Sequence, residues 1–179
     1  MRPFIGIVIL SILLPALAWA QDKDKQYRGE GYLFLGLGEW SDGSGRYGLE
    51  HVGGGGEVLL FKGLGIEEEL GAMGRPGGGV GLFSVDPVYN FRHVRKDPKL
   101  VPFVEAGYTR AFGNRGFTIT ENMFNFGGGF HYWLFKHVGL RLELRDYLAH
   151  TSWGYWTGPQ RFGETRNYPA IRIGLAIRP

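Results

Sequence analysis

The amino-acid sequence predicts an all-β fold, and three observations lead to that prediction. Glycine supplies 31 of the 179 residues, and each glycine inside a helix costs about 1 kcal/mol relative to alanine, which disfavours a helical bundle. Apolar and polar residues alternate with a period of two along much of the chain, which is the spacing of a strand. The aromatic content of 15% is too high for a disordered chain.

The N-terminus has the pattern of a cleavable secretory signal peptide. One positive charge precedes an apolar core over residues 4–14, and Ala18 and Ala20 place small residues at the two positions that signal peptidase reads. A membrane anchor is the alternative, but the apolar run is short for a spanning helix. We therefore expect a signal peptide over residues 1–20, a short polar segment over residues 21–27 and one domain over residues 28–179.

Eight strands are predicted, each from its own alternation. In the seventh, the apolar Leu140, Leu142 and Leu144 alternate with charged residues at the odd positions between them. Such alternation gives each strand one apolar face. In chain order the predicted strands cover residues 29–40, 49–61, 64–73, 80–92, 100–112, 122–135, 138–148 and 171–177.

The predicted connections are mostly short and alternate in length. Those after strands two, four and six cover residues 62–63, 93–99 and 136–137, and the others cover the longer segments 41–48, 74–79, 113–120 and 151–167. Antiparallel strands joined in this way form an up-and-down meander, which removes its two edges by closing into a barrel.

Alternation alone is compatible with two barrels of opposite arrangement. One is a soluble lipocalin-like barrel with an apolar interior, and the other is an outer-membrane barrel with a polar interior. Glycine shares the parity of the charged residues, as at Gly127, Gly129 and His131, and small residues leave space for large polar groups inside a narrow barrel. Strands of about 10 to 13 residues also suit a tilted membrane crossing. Aromatic residues lie toward the ends of the apolar faces, where outer-membrane barrels have their aromatic girdles. These residues are Trp40, Phe61, Tyr89, Phe91, Tyr108, Phe112, Tyr132 and Phe135. We therefore expect an eight-stranded antiparallel up-and-down transmembrane β-barrel.

Two segments carry a family resemblance. Residues 125–147 read NFGGGFHYWLFKHVGLRLELRDY, and the glycine-rich residues 53–65 end in LFKGLG. Both resemble hairpins of small bacterial outer-membrane β-barrel domains of the OmpA/OmpX type. The resemblance implies an outer-membrane location, insertion by the barrel assembly machinery and contact with outer-membrane lipid and lipopolysaccharide. It implies a fold more specifically than an activity.

Residue counts disfavour several classes of function. The 20 Lys+Arg and 17 Asp+Glu residues are interspersed, so we expect no nucleic-acid partner. The chain has no cysteine, and its five histidines are scattered without metal-ligand spacing. The glycine runs at residues 53–56 and 77–79 precede neither a helix nor a Gly-Lys-Ser/Thr sequence. We expect a monomer without cofactor or metal.

The charged residues occupy the alternating positions that are expected to face the lumen, and they predict a network of ion pairs there. An unpaired charge buried in a narrow interior is costly, so these groups are expected to pair with one another. A gated path for ions or protons is the alternative. The predicted network contains Glu105, His131, Arg141, Glu143, Arg145 and Arg172, and Glu57, Glu67 and Glu69 share its parity.

The last long connection contains a candidate hydrolytic triad. His150, Ser152 and Glu164 have the spacing seen in the lipid A deacylase (PagL) family, and this resemblance implies His150 as general base, Ser152 as nucleophile and Glu164 as the residue that orients the histidine. That family continues the serine with Asn-Ala, whereas Trp153 and Gly154 follow here. We expect a non-enzymatic protein, with this hydrolase as the alternative.

The same connection is rich in aromatic residues, namely Trp153, Tyr155, Trp156 and Phe162. On an extracellular loop such residues suit contact with lipopolysaccharide, a glycan or a protein. The alternative is that the rings pack over the mouth of the barrel. The sequence thus predicts a structural or loop-binding outer-membrane protein with a filled polar lumen.

Overall fold

A computed structural model describes residues 29–41, 45–76, 78–92, 99–114, 118–151 and 164–179. The predicted signal peptide and the polar segment after it lie outside the described residues. No helix of the length and hydropathy needed to span a membrane occurs in the described ranges. The strands are β1 (Gly29–Ser41), β2 (Arg46–Phe61), β3 (Leu64–Arg75), β4 (Gly78–Asn90), β5 (Leu100–Asn114), β6 (Thr118–Trp133), β7 (Val138–Thr151), β8 (Glu164–Asn167) and β9 (Ala170–Ile177).

The strands form one closed antiparallel barrel. Each strand from β1 to β7 pairs with the next in the chain. Both β8 and β9 pair with β7, and β9 also pairs with β1 and so closes the sheet. These two short strands are parts of one barrel strand, interrupted at Tyr168 and Pro169, because proline has no N–H to donate to the ladder. The predicted eight-stranded up-and-down barrel is confirmed.

The strands extend further than predicted at one end of the barrel. Ser41 pairs with Arg46, and Asn114 pairs with Thr118, so the connections there are shorter than the sequence pattern indicates. The predicted connection over residues 151–167 also contains β8. Strand pairing needs only backbone N–H and C=O groups, so the hairpins continue beyond the apolar rows that guided the prediction. The expected difference in loop length between the two ends is therefore reduced.

We name the two ends of the barrel by their connections. The loop end carries the connection between β7 and β8, and the turn end carries the two-residue turn between β2 and β3. This turn was predicted, and both of its residues have positive φ, 46° at Lys62 and 91° at Gly63. Two consecutive positive φ values match the twist of a tight hairpin and favour glycine.

The barrel has an apolar outer face, and charged side chains are buried in its interior. Leu33 and Leu35 of β1 are 71% and 64% exposed, whereas Glu57 and Arg141 are almost completely buried. Exposed apolar rows of this extent suit a hydrocarbon layer and not water. The arrangement is opposite to that of a soluble lipocalin-like barrel, so that alternative is wrong.

One aromatic residue lies on the opposite face from the predicted one. Phe61, Tyr132 and Phe135 are exposed on the outer face, as predicted. Trp40, in contrast, is buried and stacks on Tyr47 with the ring centroids 5.0 Å apart. Trp40 shares the inward parity of β1, so its assignment to an outer aromatic girdle is wrong.

Candidate functional site in the barrel lumen

Three layers of side chains occupy the lumen. The charged layer lies at the middle of the barrel, where β7 carries Arg141, Glu143 and Arg145 on its inward face. An apolar cluster lies on its loop-end side, and an aromatic cluster lies toward its turn end. The loop-end cluster contains Trp40, Leu49, Met73, Val80, Leu82, Ala111, Met123, Tyr147, Ala149 and Tyr168. The turn-end cluster contains Tyr32, Phe34, Val101, Trp133 and Ala176.

Arg141 is held by three carboxylates. Its Nη1 lies 2.8 Å from Glu67 Oε2, its Nη2 lies 3.0 Å from Glu105 Oε2, and its Nε lies 2.8 Å from Glu143 Oε2. All four side chains are buried. Charge-assisted hydrogen bonds of this length are about twice as strong as neutral ones, and they compensate the cost of burying the guanidinium.

Arg145 and Arg172 extend the same network. Arg145 donates to Asp86 Oδ2 at 3.0 Å and to Glu67 Oε1 at 3.1 Å. Arg172 Nη1 donates to Glu69 Oε1 at 2.7 Å, and its Nη2 donates to Glu143. The carboxylates therefore bridge neighbouring arginines and connect β3, β4, β7 and β9 across the lumen.

Aromatic rings and glycines complete the packing around the arginines. The Arg141 guanidinium lies 4.1 Å from the ring centroid of Tyr32 and 4.3 Å from that of Phe103, which adds cation–π attraction. A Cβ on Gly55 would lie 2.6 Å from Tyr32 Oη, and a Cβ on Gly53 would lie 2.7 Å from Phe34 Cζ. The inward glycines of β2 thus leave the space that the large inward side chains of β1 occupy.

The structure brings five of the six predicted network residues together and places the sixth elsewhere. Glu105, Arg141, Glu143, Arg145 and Arg172 share the ion pairs described above. His131 contacts a different carboxylate, with its Nδ1 2.7 Å from Glu30 Oε1.

Glu30 and Asp86 were missed by the sequence analysis. The inward face of β4 is otherwise made of residues such as Val80, Leu82 and Val88, so Asp86 does not lie on a parity rich in glycine and charge. Glu30 stands one position after the start of β1, where alternation is too short to assign a face. Both could have been found by looking for a carboxylate that shares the alternating positions of an aromatic or amide residue in the same strand.

The candidate hydrolytic residues are only partly covered by the structure. His150 lies next to the end of β7 and pairs with Thr165 of β8. Glu164 is the first residue of β8 and pairs with Thr151. Ser152 lies outside the described residues, so the triad stays a prediction. The loop aromatics Trp153, Tyr155, Trp156 and Phe162 also lie outside them.

Within the described ranges, no three His, Asp or Glu side chains are grouped so that they could hold a metal ion. The charged layer itself is occupied by guanidinium groups, whose donors already saturate most of the carboxylate oxygens around them. The charged groups of the network therefore bind one another as ion pairs.

No family model and no curated protein sequence matches this chain. Solved structures do match. Neisserial surface protein A (NspA) is 12% identical over 84% of this chain and 96% of its own, with a TM-score of 0.61. The N-terminal β-barrel domain of Pseudomonas aeruginosa OprF is 15% identical over 85% of this chain and 100% of its own, with a TM-score of 0.54.

A third match is Ail, the attachment invasion locus protein of Yersinia pestis, in complex with the heparin analogue sucrose octasulfate. It is 9% identical over 86% of this chain and 99% of its own, with a TM-score of 0.54. Identities this low establish a shared architecture and not a shared activity. The chain has the fold of the eight-stranded outer-membrane β-barrels.

Proposed function

We propose that this protein is a non-enzymatic outer-membrane β-barrel that acts as a structural element or binds ligands through its extracellular loops. The observation that supports the proposal is the set of side chains buried inside the barrel. A cross-linked charged layer lies between an apolar cluster and an aromatic cluster. A barrel of eight strands has room for side chains but not for an aqueous channel beside them. The outer surface and the loops are then the parts of the protein that can bind a ligand or partner.

The outer face supports a location in a membrane. Rows such as Ile171, Ile173 and Leu175 of β9 are each more than half exposed. In water these rows would be an aggregation surface, whereas hydrocarbon solvates them. The fold shared with OprF, NspA and Ail is that of outer-membrane proteins, which supports the bacterial outer membrane as the location.

The loop end has the chemistry of an anion-binding surface. Arg46, Arg75 and Arg110 are exposed near that end of β2, β3 and β5. One of them, Arg46, already pairs with Glu39 at 3.3 Å. Guanidinium groups bind phosphate and sulfate through paired N–H donors. Ail binds the polyanion sucrose octasulfate, so a polyanionic glycan or lipopolysaccharide is the ligand class we propose for these loops.

Planar-bilayer recording tests the filled lumen. The refolded wild-type protein should insert without producing large, steady single-channel currents, because the ionic layer and both clusters obstruct the path. A wide porin reconstituted in the same way is the positive control. Steady conductance that scales with salt concentration would contradict the proposal and favour the ion-path alternative.

Protease shaving of intact cells tests the orientation. The predicted signal peptide delivers the N-terminus to the periplasm, so β1 runs outward and the connection between β7 and β8 reaches the cell surface. Trypsin should cut after Arg161 and spare Lys96 and Lys99 at the turn end. Cutting at Lys96 or Lys99 with Arg161 protected would invert the topology and remove the basis for loop binding.

A further inference from the structure

The buried acids of the lumen outnumber its buried arginines. Seven carboxylates are buried in the described residues, against the three arginines Arg141, Arg145 and Arg172. The excess has to be compensated locally, because isolated charges in a medium of low dielectric are strongly destabilising. The position of an acid without a positive partner is therefore where either a bound proton or a further positive charge is needed.

That position is Glu57, on the inward face of β2 near the turn end. Each of the other six buried carboxylates has a cationic or histidine partner within 4 Å. Within the described ranges, Glu57 has only an amide partner: Asn90 Nδ2 donates to its Oε1 at 2.6 Å. Its Oε2 is buried and has no hydrogen-bond partner in the described part of the chain.

A buried amide and a second carboxylate lie beside Glu57. Asn90 is 1% exposed, and its Oδ1 is buried without a hydrogen-bond partner among the described residues. Glu30 stands directly opposite Glu57 in the pairing of β1 with β2. Side chains directly opposite in an antiparallel pair have Cβ atoms about 5 Å apart, and like charges in such a pair repel each other.

Two positive groups at this end, His131 and Arg92, form ion pairs with Glu30, and Glu57 forms no ion pair in the described part of the chain. His131 Nδ1 lies 2.7 Å from Glu30 Oε1, and Arg92 Nη2 lies 3.7 Å from Glu30 Oε2. Arg92 is also the residue closest to solvent here, with 18% of its side chain exposed. The cluster is thus buried just inside the mouth of the barrel, with a long, partly exposed side chain at its edge.

We propose that Glu57, Glu30 and Asn90 form a binding site for a single hard cation at the turn end of the lumen. The available donors are carboxylate and amide oxygens, which are the ligands of Ca²⁺, and Ca²⁺ accepts irregular geometry and water as additional ligands. Three protein groups are fewer than a complete calcium site provides, so water completes the shell. A cation here relieves the repulsion between the two glutamates and ties β1, β2 and β4 together.

Calcium titration of the refolded mature protein in an uncharged detergent tests the site. Calorimetry should detect one Ca²⁺ per chain, and the thermal unfolding temperature should rise with CaCl₂ but not with choline chloride at the same ionic strength. A wild-type protein that responds equally to both salts would overturn the proposal and would mean that Glu57 is buried in its protonated form.

Two variants and a control locate the binding. In Glu57→Gln the side-chain oxygen still accepts the hydrogen bond from Asn90, and the loss of one carboxylate should weaken Ca²⁺ binding by about tenfold or more. Glu30→Gln should have a similar effect. Glu50→Gln removes an exposed acid from the same strand and should bind Ca²⁺ like the wild type. Unchanged binding in both Glu57→Gln and Glu30→Gln would refute the site.

Discussion

Replacement of Arg141 by methionine tests whether the lumen network stabilises the barrel. Methionine keeps much of the volume and removes all charge, so Glu67, Glu105 and Glu143 each lose an N–O contact of 2.8 to 3.0 Å. Removing one partner of a buried ion pair costs about 3 to 5 kcal/mol, because the remaining charge stays buried. All three carboxylates also contact Arg145. We therefore expect a loss near the lower limit, about 3 kcal/mol.

Urea-induced unfolding in lipid vesicles, followed by tryptophan fluorescence, measures this loss. Arg46→Met is the matched control, because Arg46 makes its ion pair on an exposed surface, where such pairs contribute under about 1 kcal/mol. The double variant Arg141→Met with Glu67→Gln should recover part of the loss, since it removes an uncompensated charge. If Arg141→Met unfolds at the same urea concentration as Arg46→Met, the lumen charges are not coupled as described.

Two further predictions concern packing and activity. Gly55→Ala should destabilise the barrel by about 1 to 3 kcal/mol because its Cβ would overlap Tyr32 Oη. Gly48→Ala, with no atom within 4 Å of the added Cβ, should unfold like the wild type. Equal unfolding midpoints for the two variants would contradict the packing argument. Incubation of the pure protein with lipid A should release no fatty acid, and release that disappears in Ser152→Ala would establish the hydrolase alternative.

The alternation of residue types was sufficient to predict the barrel. A period of two leaves only the choice of inner face, and glycine resolved that choice because it accompanies the charged residues, as at Gly127 and Gly129. The strand ends were predicted less well. Beyond the apolar rows, Arg46 and Thr118 pair with Ser41 and Asn114 through the backbone, and backbone hydrogen bonds leave no pattern in the sequence.

Part of the charged layer in the lumen could be predicted, but its pairing could not. Parity identifies Arg141 and Arg145 as inward residues, yet it does not specify that both contact Glu67, because that contact depends on the stagger between strands far apart in the chain. Trp40 illustrates the limit on the other side. Its aromatic character suits an interface girdle, but it lies at the same alternating positions of β1 as the buried Tyr32 and Phe34 and therefore faces inward.

The distribution of lumen charges along the chain has a consequence for barrel assembly. Glu67, Glu69, Asp86 and Glu105 belong to β3, β4 and β5, whereas the three arginines buried among the described residues belong to β7 and β9. The bond between Arg172 and Glu69 joins residues 103 positions apart in the sequence. A partly assembled sheet therefore presents an acidic inner surface, which stays hydrated until the C-terminal strands arrive. Arg141 and Arg145 arrive with β7 and Arg172 with β9, so neutralisation is complete only when the seam between β1 and β9 closes, and reopening that seam separates Arg172 from Glu69. Long-range contacts of this kind slow folding, and the same contacts give the finished barrel kinetic resistance to unfolding.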